Sequence, residues 1–329
     1  MPPQEWIEAL KHRVLEGGEV AYDEALDLIE VESSEDFEAL LDAAREITHH
    51  FNSNKPGLCS LLNAKSYLCG ENCGFCAQSV RFDTQADRYA LMHPEKVVEA
   101  AKHAEKHGAQ NFCIVTSGAA PGDEEFEKIV EIFKRLSRES RLHLDASLGF
   151  INEEQARRLK EAGVRRFNHN LQSSREFYPQ IVSTHTYDTR INTIKALLEG
   201  GLELCSGGIL GMGETREDRV KLAFELKPYA PYCIPINVLN PRPGTPLENQ
   251  LKPDPREILK TIAVFRFIFP QANIKLAGGR EVNLTAKEQE KALRGGANGL
   301  ILGGYLTTSG NPVQEDLTML RAAGFDVGK

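Results

Sequence analysis

The spacing of hydrophobic and polar residues predicts a short helical region followed by a long alternation of strands and helices. In residues 4–50, apolar residues recur at helical spacing in the segments EWIEALKHRVLEGG, YDEALDLIE and SSEDFEALLDAAREITHH. The third segment begins with serines followed by acidic residues, which is typical of a capped helix start. The pattern therefore predicts an N-terminal helical extension over residues 1–50.

Beyond residue 50 the pattern changes to short apolar runs, each followed by an amphipathic segment. Strands that alternate with helices form parallel sheets with helical crossovers. Eight such units over ~250 residues is the size of a closed barrel. We predict an α/β fold, a (β/α)8 TIM-type barrel over residues 51–329, and keep a doubly wound open sheet as the alternative. The eight strand-like runs are 58–66, 111–118, 141–149, 165–173, 202–210, 232–240, 272–279 and 297–304.

Composition and charge narrow the functional class. The chain has 329 residues, 41% of them hydrophobic, and a formal net charge of −8. Proteins that bind a phosphate backbone usually present a basic face, so we expect no nucleic-acid partner. No apolar run approaches the ~18 residues of a membrane span, and the N-terminal residues lack the basic and apolar regions of a signal peptide. We expect a cytoplasmic protein without a membrane partner.

Seven cysteines are clustered rather than spread as in a disulfide framework, which indicates metal binding or redox chemistry. Three of them form the C-x3-C-x2-C motif 69-CGENCGFC-76, after the first predicted strand. Barrels of this type carry their active sites at the C-terminal strand ends, so the motif falls on the catalytic face. Three thiolates leave one iron of a four-iron cluster open to another ligand. A structural zinc site with a remote ligand such as His93 is the alternative.

The spacing of this motif resembles that of the radical S-adenosylmethionine enzymes. The resemblance implies that Cys69, Cys73 and Cys76 hold a [4Fe-4S] cluster, whose open iron chelates the amine and carboxylate of S-adenosylmethionine. It also implies that one electron cleaves this cofactor to a 5′-deoxyadenosyl radical. Phe75, the aromatic residue before the third cysteine, is then expected near the adenine.

Further stretches narrow the resemblance to biotin synthases, over residues 50–325. The resemblance implies insertion of sulfur between two unactivated carbons of dethiobiotin. It also implies a flavodoxin or ferredoxin as reductant, cluster-assembly proteins as partners, and a homodimer. The stretches that carry it are 58-LCSLLNAKSYLC-69, 167-FNHNLQSS-174, 205-CSGGILGMGE-214, 235-PINVLNPRPGTPL-247, 277-AGGREVNL-284 and 305-YLTTSGN-311.

The same resemblance assigns substrate and cofactor residues by position. Asn170 and Asn237 would contact the ureido ring of the substrate, whose donors and acceptor an amide complements. Thr307 and Thr308 would lie near the substrate carboxylate. Gln172 stands where the family has an aspartate that binds the cofactor ribose, so this contact would lack charge. The other implied cofactor-binding residues are Thr116, Ser117, Gly118, Asn170, Arg190 (for the cofactor carboxylate), Gly207, Gly208 and Ile209.

Biotin synthases commonly carry a second cluster, a [2Fe-2S] held by three cysteines and an arginine. Cys113, Cys205 and Arg280 match three of these positions, but Asp145 replaces the remaining cysteine. A carboxylate suits iron–sulfur clusters less well than a thiolate.

Strand alternation offers another ligand set, because Cys233 shares a face with Asn237 and Cys59 shares one with Asn63. We therefore predict an auxiliary cluster, [4Fe-4S]-like rather than [2Fe-2S], held by Cys59, Cys113, Cys205 and Cys233. Arg280 and Asp145 would adjoin it, paired with each other. The alternative is that Cys59 and Cys233 are small buried hydrophobic residues.

Two other functions stay open. One is a different radical enzyme, of the hydrogenase-maturation or methylornithine-forming type, and the other is a non-catalytic metal-binding protein. Alternation also predicts that His169, between Asn168 and Asn170, points away from them into the helix layer.

Overall fold

The apolar runs after residue 50 form parallel strands in the computed structural model, which describes residues 3–307 and 310–328. Neighbouring strands pair in the order β5-β4-β3-β2-β1-β9-β8-β7-β6, and β5 also pairs with β7. Every one of these pairings is parallel. The described strands are β1 Gly57–Lys65, β2 Asn111–Thr116, β3 His143–Ser147, β4 Val164–Asn168, β5 Glu203–Cys205, β6 Gly208–Leu210, β7 Cys233–Val238, β8 Asn273–Leu276 and β9 Gly299–Ile301.

The contact between β5 and β7 closes the sheet into a barrel. The fifth predicted run, 202–210, is divided into β5 and β6, which both pair with β7 and act as one interrupted strand. A Cβ atom on Gly207 would collide with the Pro235 carbonyl, and one on Gly208 with the Leu222 side chain. Glycine is required at the break because neighbouring chain segments approach so closely. The predicted eight-unit barrel is confirmed.

The amphipathic segments form a layer of helices around the barrel. Helix α5 is typical, since its buried residues recur every three or four positions and face the strands. The short helix α10 follows β8 and was not predicted. The described helices are α1 Pro3–Leu15, α2 Tyr22–Ile29, α3 Ser34–Phe51, α4 Pro94–Lys106, α5 Asp123–Glu139, α6 Glu153–Glu161, α7 Tyr187–Glu199, α8 Arg216–Leu226, α9 Pro255–Ile268, α10 Arg280–Asn283, α11 Ala286–Arg294 and α12 Val313–Ala322.

The three N-terminal helices pack against the barrel's outer helices, with α2 on α8 and α9, and α3 on α9 and α11. Charged contacts reinforce this packing: Arg216 of α8 pairs with Glu32 at 2.6 Å and with Glu257 of α9 at 2.8 Å. The division of the chain at residue 50 into an extension and a barrel stays a prediction. No helix in the described part of the chain is both long and apolar enough to span a membrane.

Candidate active site

The barrel encloses a cavity of about 340 Å³ that opens at the C-terminal ends of the strands. It contains the three cysteines of the motif and three further cysteines carried by strands. Cys233, the seventh, is fully buried beside them. All seven are free thiols. The cysteines in the cavity wall are Cys59, Cys69, Cys73, Cys76, Cys113 and Cys205.

The loop that carries the C-x3-C-x2-C motif is held in place by backbone hydrogen bonds on both sides. The Val80 N–H donates to the Cys69 carbonyl at 2.8 Å, and the Gly74 N–H donates to the Ile181 carbonyl at 2.8 Å. Within the loop, the Cys76 N–H donates to the Cys73 carbonyl at 2.9 Å. The three thiols are therefore positioned by the fold before any cofactor binds.

A chain of polar side chains ties this loop to the segment before α7. His185 hydrogen-bonds Glu71 through Nδ1 and the Tyr178 hydroxyl through Nε2, the latter at 2.7 Å. Arg190 donates from Nε to the Tyr178 oxygen and from a terminal nitrogen to the Asn170 carbonyl at 3.0 Å. Because Nε2 accepts, His185 is neutral, and burial lowers its pKa. Arg190 also donates from its other terminal nitrogen to His185 Nε2 at 3.3 Å, so the network fixes Arg190 at the cavity wall and leaves two of its five N–H groups to bind a carboxylate.

The motif thiols fit an iron–sulfur cluster in their chemistry. Burial raises the pKa of Cys73 to about 12 and that of Cys76 to about 11, so both are protonated until a metal replaces the proton. Among the described residues, no three Cys, His, Asp or Glu side chains converge as tightly as the ligands of one metal ion do. The irons of a cluster are separate atoms that each take one thiolate, so cluster ligands lie farther apart.

The strand cysteines form a second group deeper in the barrel. Cys205 and Cys233 lie in register across β5 and β7, close enough for their thiols to interact. Cys59 lies close enough to Cys113 and Cys233 for their charges to interact. Burial raises the pKa of Cys59 to about 12. The four cysteines of the predicted auxiliary site thus share one buried region, which strand alternation anticipated.

The charges beside these cysteines differ from those predicted. Asp145 pairs with Arg166 of β4 at 3.3 Å, whereas Arg280 pairs with Asp316 of α12 at 2.6 Å. The prediction that Arg280 and Asp145 pair with each other is therefore wrong. Arg280 starts α10, beyond the end of β8, and it is not among the residues of the cavity wall.

Lys275 of β8 is the cation that faces the strand cysteines. It lines the cavity and is 4% exposed. Burial alone would lower its pKa, but nearby Cys233, Cys59 and Cys205 together with Asp145 raise it, so Lys275 is charged. Sequence reasoning overlooked this residue, although a single lysine within the apolar run 272–279 was the available signal.

The predicted substrate asparagines both line the cavity. Asn237 bridges two strands, since its Nδ2 donates to the Gly208 carbonyl at 3.2 Å and its Oδ1 accepts from the Gly278 N–H at 3.0 Å. Asn170 Oδ1 accepts from the Gly207 N–H at 3.1 Å. Each amide keeps unused hydrogen-bonding capacity for a ligand.

The predicted cofactor residues are divided between the cavity and the surrounding backbone. Gly207 and Gly208 are absent from the cavity wall and accommodate neighbouring chain segments instead. Thr307 lines the cavity, and Thr308 lies outside the described residues. The other predicted cofactor residues in the wall are Phe75, Thr116, Ser117, Gly118, Asn170, Gln172, Arg190 and Ile209.

Four buried acceptor atoms in the described cavity wall have no hydrogen-bond partner: Asp145 Oδ1, Asn168 Oδ1, His169 Nε2 and Gln172 Oε1. Burial lowers the pKa of His169 far below its usual value, so this ring is neutral. Unpaired buried acceptors are costly, and a ligand with several donor groups would satisfy them. The amine and ribose hydroxyls of S-adenosylmethionine are such donors.

His169 and Tyr305 are among the wall residues that were not predicted to lie there. His169 lines the cavity and packs its ring against Phe150 at 5.7 Å, so the prediction that it points into the helix layer is wrong. Strand β4 ends at Asn168, and side-chain alternation does not continue past the strand end. Tyr305 also lines the cavity, near Cys76 of the motif and Cys113 of the strand group.

Comparison with protein-family models identifies two regions. Residues 65–226 match the radical SAM superfamily, and residues 235–326 match the biotin and thiamin synthesis associated domain. Together they include the cysteine motif and the strands from β2 to β9, except for the first two residues of β7.

Relatives align over nearly the whole chain. A biotin synthase of Acetivibrio thermocellus is 44% identical over 323 residues, covering 98% of this chain and 100% of the relative. A biotin synthase of Carboxydothermus hydrogenoformans is 46% identical over 323 residues, covering 98% and 99%. One of Heliobacterium modesticaldum is 48% identical over 300 residues, covering 91% of both chains.

Solved structures show the same fold at low sequence identity. A methylornithine synthase is 22% identical with a TM-score of 0.85, covering 97% of both chains. An FeFe-hydrogenase maturase of Carboxydothermus hydrogenoformans is 18% identical with a TM-score of 0.83, covering 98% of this chain and 79% of the maturase. These likenesses concern the barrel alone, whereas the near full-length sequence matches concern the family. The chain belongs to the biotin synthase family of radical S-adenosylmethionine enzymes.

Proposed function

We propose that this protein converts dethiobiotin to biotin by radical insertion of sulfur. One observation carries the proposal: a single barrel interior holds a three-thiol motif and, deeper, four further free cysteines. When bound, a [4Fe-4S] cluster with S-adenosylmethionine supplies the radical that activates unreactive C–H bonds, and an auxiliary cluster supplies the sulfur. The chain's own part is to bind, orient and shield the reactants.

The motif thiols of Cys69, Cys73 and Cys76 would hold the first cluster and leave one iron for the cofactor. Arg190, fixed by Tyr178 and His185, would bind the cofactor carboxylate through a charge-assisted hydrogen bond. Gln172 Oε1, a buried acceptor without a partner, would accept from a ribose hydroxyl. Phe75 in the cavity wall would pack against the adenine.

The strand thiols of Cys59, Cys113, Cys205 and Cys233 would hold the auxiliary cluster. Thiolates add negative charge to a buried site, and a nearby cation offsets the cost of burying it. Lys275 supplies that cation, and Arg166, paired with Asp145, is a second cation within range of Cys205 and Cys233. Four thiolates complete the ligand set of a [4Fe-4S] or a [2Fe-2S] cluster, and we propose the four-iron type or a relative with an additional sulfide.

The substrate would lie between these two groups of thiols. Asn170 and Asn237 would bind its ureido ring, and Thr307 at the mouth would adjoin its tail. The strand walls exclude water, which protects a carbon radical from side reactions. The enzyme would act as a homodimer in the cytoplasm, where thiols stay reduced. It would draw electrons from flavodoxin or ferredoxin and receive its clusters from assembly proteins.

The test is turnover by anaerobically reconstituted protein. Dethiobiotin, S-adenosylmethionine and dithionite should yield biotin together with 5′-deoxyadenosine, detected by mass spectrometry. Cys73→Ala should yield neither product, because the first cluster loses a ligand. A wild-type protein with a full complement of iron that cleaves S-adenosylmethionine but forms no biotin would contradict the proposed function.

A further inference from the structure

Arg242 lines the cavity, and no side chain in the described part of the chain engages its guanidinium. It lies in the segment 241-PRPGTP-246 after β7, is half-buried, and forms part of the cavity wall. Among the described residues, its side chain makes no hydrogen bond and no salt bridge, and only its backbone carbonyl is engaged. A half-buried cation without a protein partner in a ligand cavity indicates a site for an anion.

The backbone around Arg242 is rigid. Pro241 and Pro243 fix the dihedral angles on either side. The Thr245 hydroxyl donates to the Arg242 carbonyl at 2.7 Å, which closes a turn. Gly244 has φ of +84°, and a Cβ atom there would collide with the backbone of Asp83 in the segment that follows the cysteine motif. The turn therefore packs against the segment that follows the cysteine motif. Its backbone loses little conformational entropy when Arg242 binds a ligand.

The other two lysine and arginine side chains in the described cavity wall already have roles. Lys275 lies at the strand cysteines, deep in the barrel. Arg190 is held by Tyr178, His185 and the Asn170 carbonyl, on the side of the motif loop. Arg242 is left for an anion at the mouth, in the segment after β7, two strand positions from the end of β4 that precedes Asn170.

The wall between Arg242 and the proposed ureido site matches an alkyl chain. Asn237 is followed in the cavity wall by Val238, the last residue of β7, then by Leu239, Asn240 and Arg242. Leu306 also lines the cavity. Along this part of the chain, the wall residues therefore run from an amide through two apolar residues and a second amide to a cation. Dethiobiotin has the matching order of ureido ring, alkyl tail and carboxylate.

We propose that Arg242 binds the carboxylate at the end of the substrate's alkyl tail and so selects acids over neutral analogues. The inference rests on the proposed function, because it assumes that dethiobiotin is the substrate. The carboxylate lies far from the carbons that react, so this contact contributes to binding in the ground state and the transition state alike. Its loss should raise KM and leave kcat nearly unchanged.

The experiment compares dethiobiotin with its primary carboxamide, a neutral analogue of the same shape. Wild type, Arg242→Met and Arg242→Lys are assayed as reconstituted holoenzymes, with Arg138→Met on the exposed surface of α5 as a matched control. Arg242→Met should raise the KM for the acid by on the order of tenfold to a hundredfold, as expected for a charged hydrogen bond. The KM for the carboxamide and for S-adenosylmethionine should not change, and Arg242→Lys should fall between wild type and Arg242→Met.

An equal rise in the KM for the acid and for the carboxamide in Arg242→Met would overturn the proposal. A rise in the KM for S-adenosylmethionine alone would overturn it too. If Arg242→Met fails to fold or to take up iron, Arg242→Lys decides, because a change confined to the acid is still required. If the proposed function itself were wrong, wild type would form no biotin, which is a different result from a change in KM. Biotin formation by wild type with an unchanged KM in Arg242→Met would remove only the role of Arg242.

Discussion

Cys205 and Cys233 lie opposite each other at the junction of β5 and β7, the contact that closes the barrel. Their thiols are close enough to interact, and Lys275 and Arg166 are close enough to interact with both. Two small hydrophobic residues would serve the closure equally well, and neither would need buried cations beside it. The pairing of thiols with buried positive charge therefore favours a ligand role for both cysteines over a packing role.

Replacement of Cys233 by alanine should remove the auxiliary cluster and spare the first one. With both clusters of the four-iron type, iron should fall from about eight to about four atoms per chain. Iron and sulfide counting with Mössbauer spectra checks this. S-adenosylmethionine cleavage should persist while biotin formation is lost. Unchanged iron and spectra in Cys233→Ala would exclude Cys233 from the ligand set and favour a packing role.

Removal of the positive charge at Lys275 should lower the reduction potential of the auxiliary cluster. The charge stabilises the more negative, reduced state across a buried environment. Lys275→Met should shift the potential downward by on the order of tens of millivolts, whereas Lys275→Arg should stay near wild type. Redox titration followed by electron paramagnetic resonance measures the shift. If Lys275→Met and Lys275→Arg had the same reduction potential, Lys275 would not act on the cluster through its charge.

The alternation of strands and helices predicted the barrel. Alternation within strands predicted that Cys59 and Cys233 would join Cys113 and Cys205, which the family resemblance had placed inside the barrel. Both patterns report local geometry that tertiary contacts preserve. The same rule failed for His169, because β4 stops one residue earlier.

Charge pairs between residues that are far apart in the sequence could not be predicted from alternation. Arg280 lies four residues after the end of β8, beyond Gly279 with φ of +81°, and pairs with Asp316, which follows it by 36 residues. Nothing in local spacing reveals such a partner. Lys275 was visible as a charge within an apolar run, but its role depends on three other strands that bring thiols to it.

Arg280 should be important for stability and unimportant for the clusters. Its guanidinium and Asp316 are almost completely buried, and Asp316 loses its charged partner if Arg280 becomes methionine. Breaking a buried pair in this way costs about 3–5 kcal/mol. Urea unfolding of the reduced, cluster-free chain should show this loss in Arg280→Met. A reconstituted sample that survives should keep wild-type Mössbauer spectra, and loss of the auxiliary signal alone would place Arg280 at the cluster after all.

Disruption of the Glu71–His185–Tyr178 network should weaken binding of S-adenosylmethionine without loss of the first cluster. In Tyr178→Phe the hydroxyl that links His185 to Arg190 is gone, and Arg190 loses one of the contacts that fix it. Because Arg190 is then misplaced relative to the cofactor carboxylate, the KM for S-adenosylmethionine should rise about tenfold. That rise corresponds to the loss of about one hydrogen bond to a charged group. Equilibrium binding to reconstituted protein and iron content measure the two effects separately.

Tyr229→Phe is the matched control, because Tyr229 follows α8 in a short 3-10 helix on the outside of the barrel and removing its hydroxyl should change neither quantity. His185→Gln should weaken this binding at least as much, since it removes the link from Glu71 to Arg190, whereas Tyr178→Phe leaves the direct contact between His185 and Arg190 in place. If Tyr178→Phe bound S-adenosylmethionine as tightly as wild type, Arg190 would not depend on this network. If Tyr178→Phe instead lost both S-adenosylmethionine binding and iron, the network would position the cysteine loop rather than Arg190. Glu71 lies between Cys69 and Cys73, so a displacement of this loop would move the thiols first.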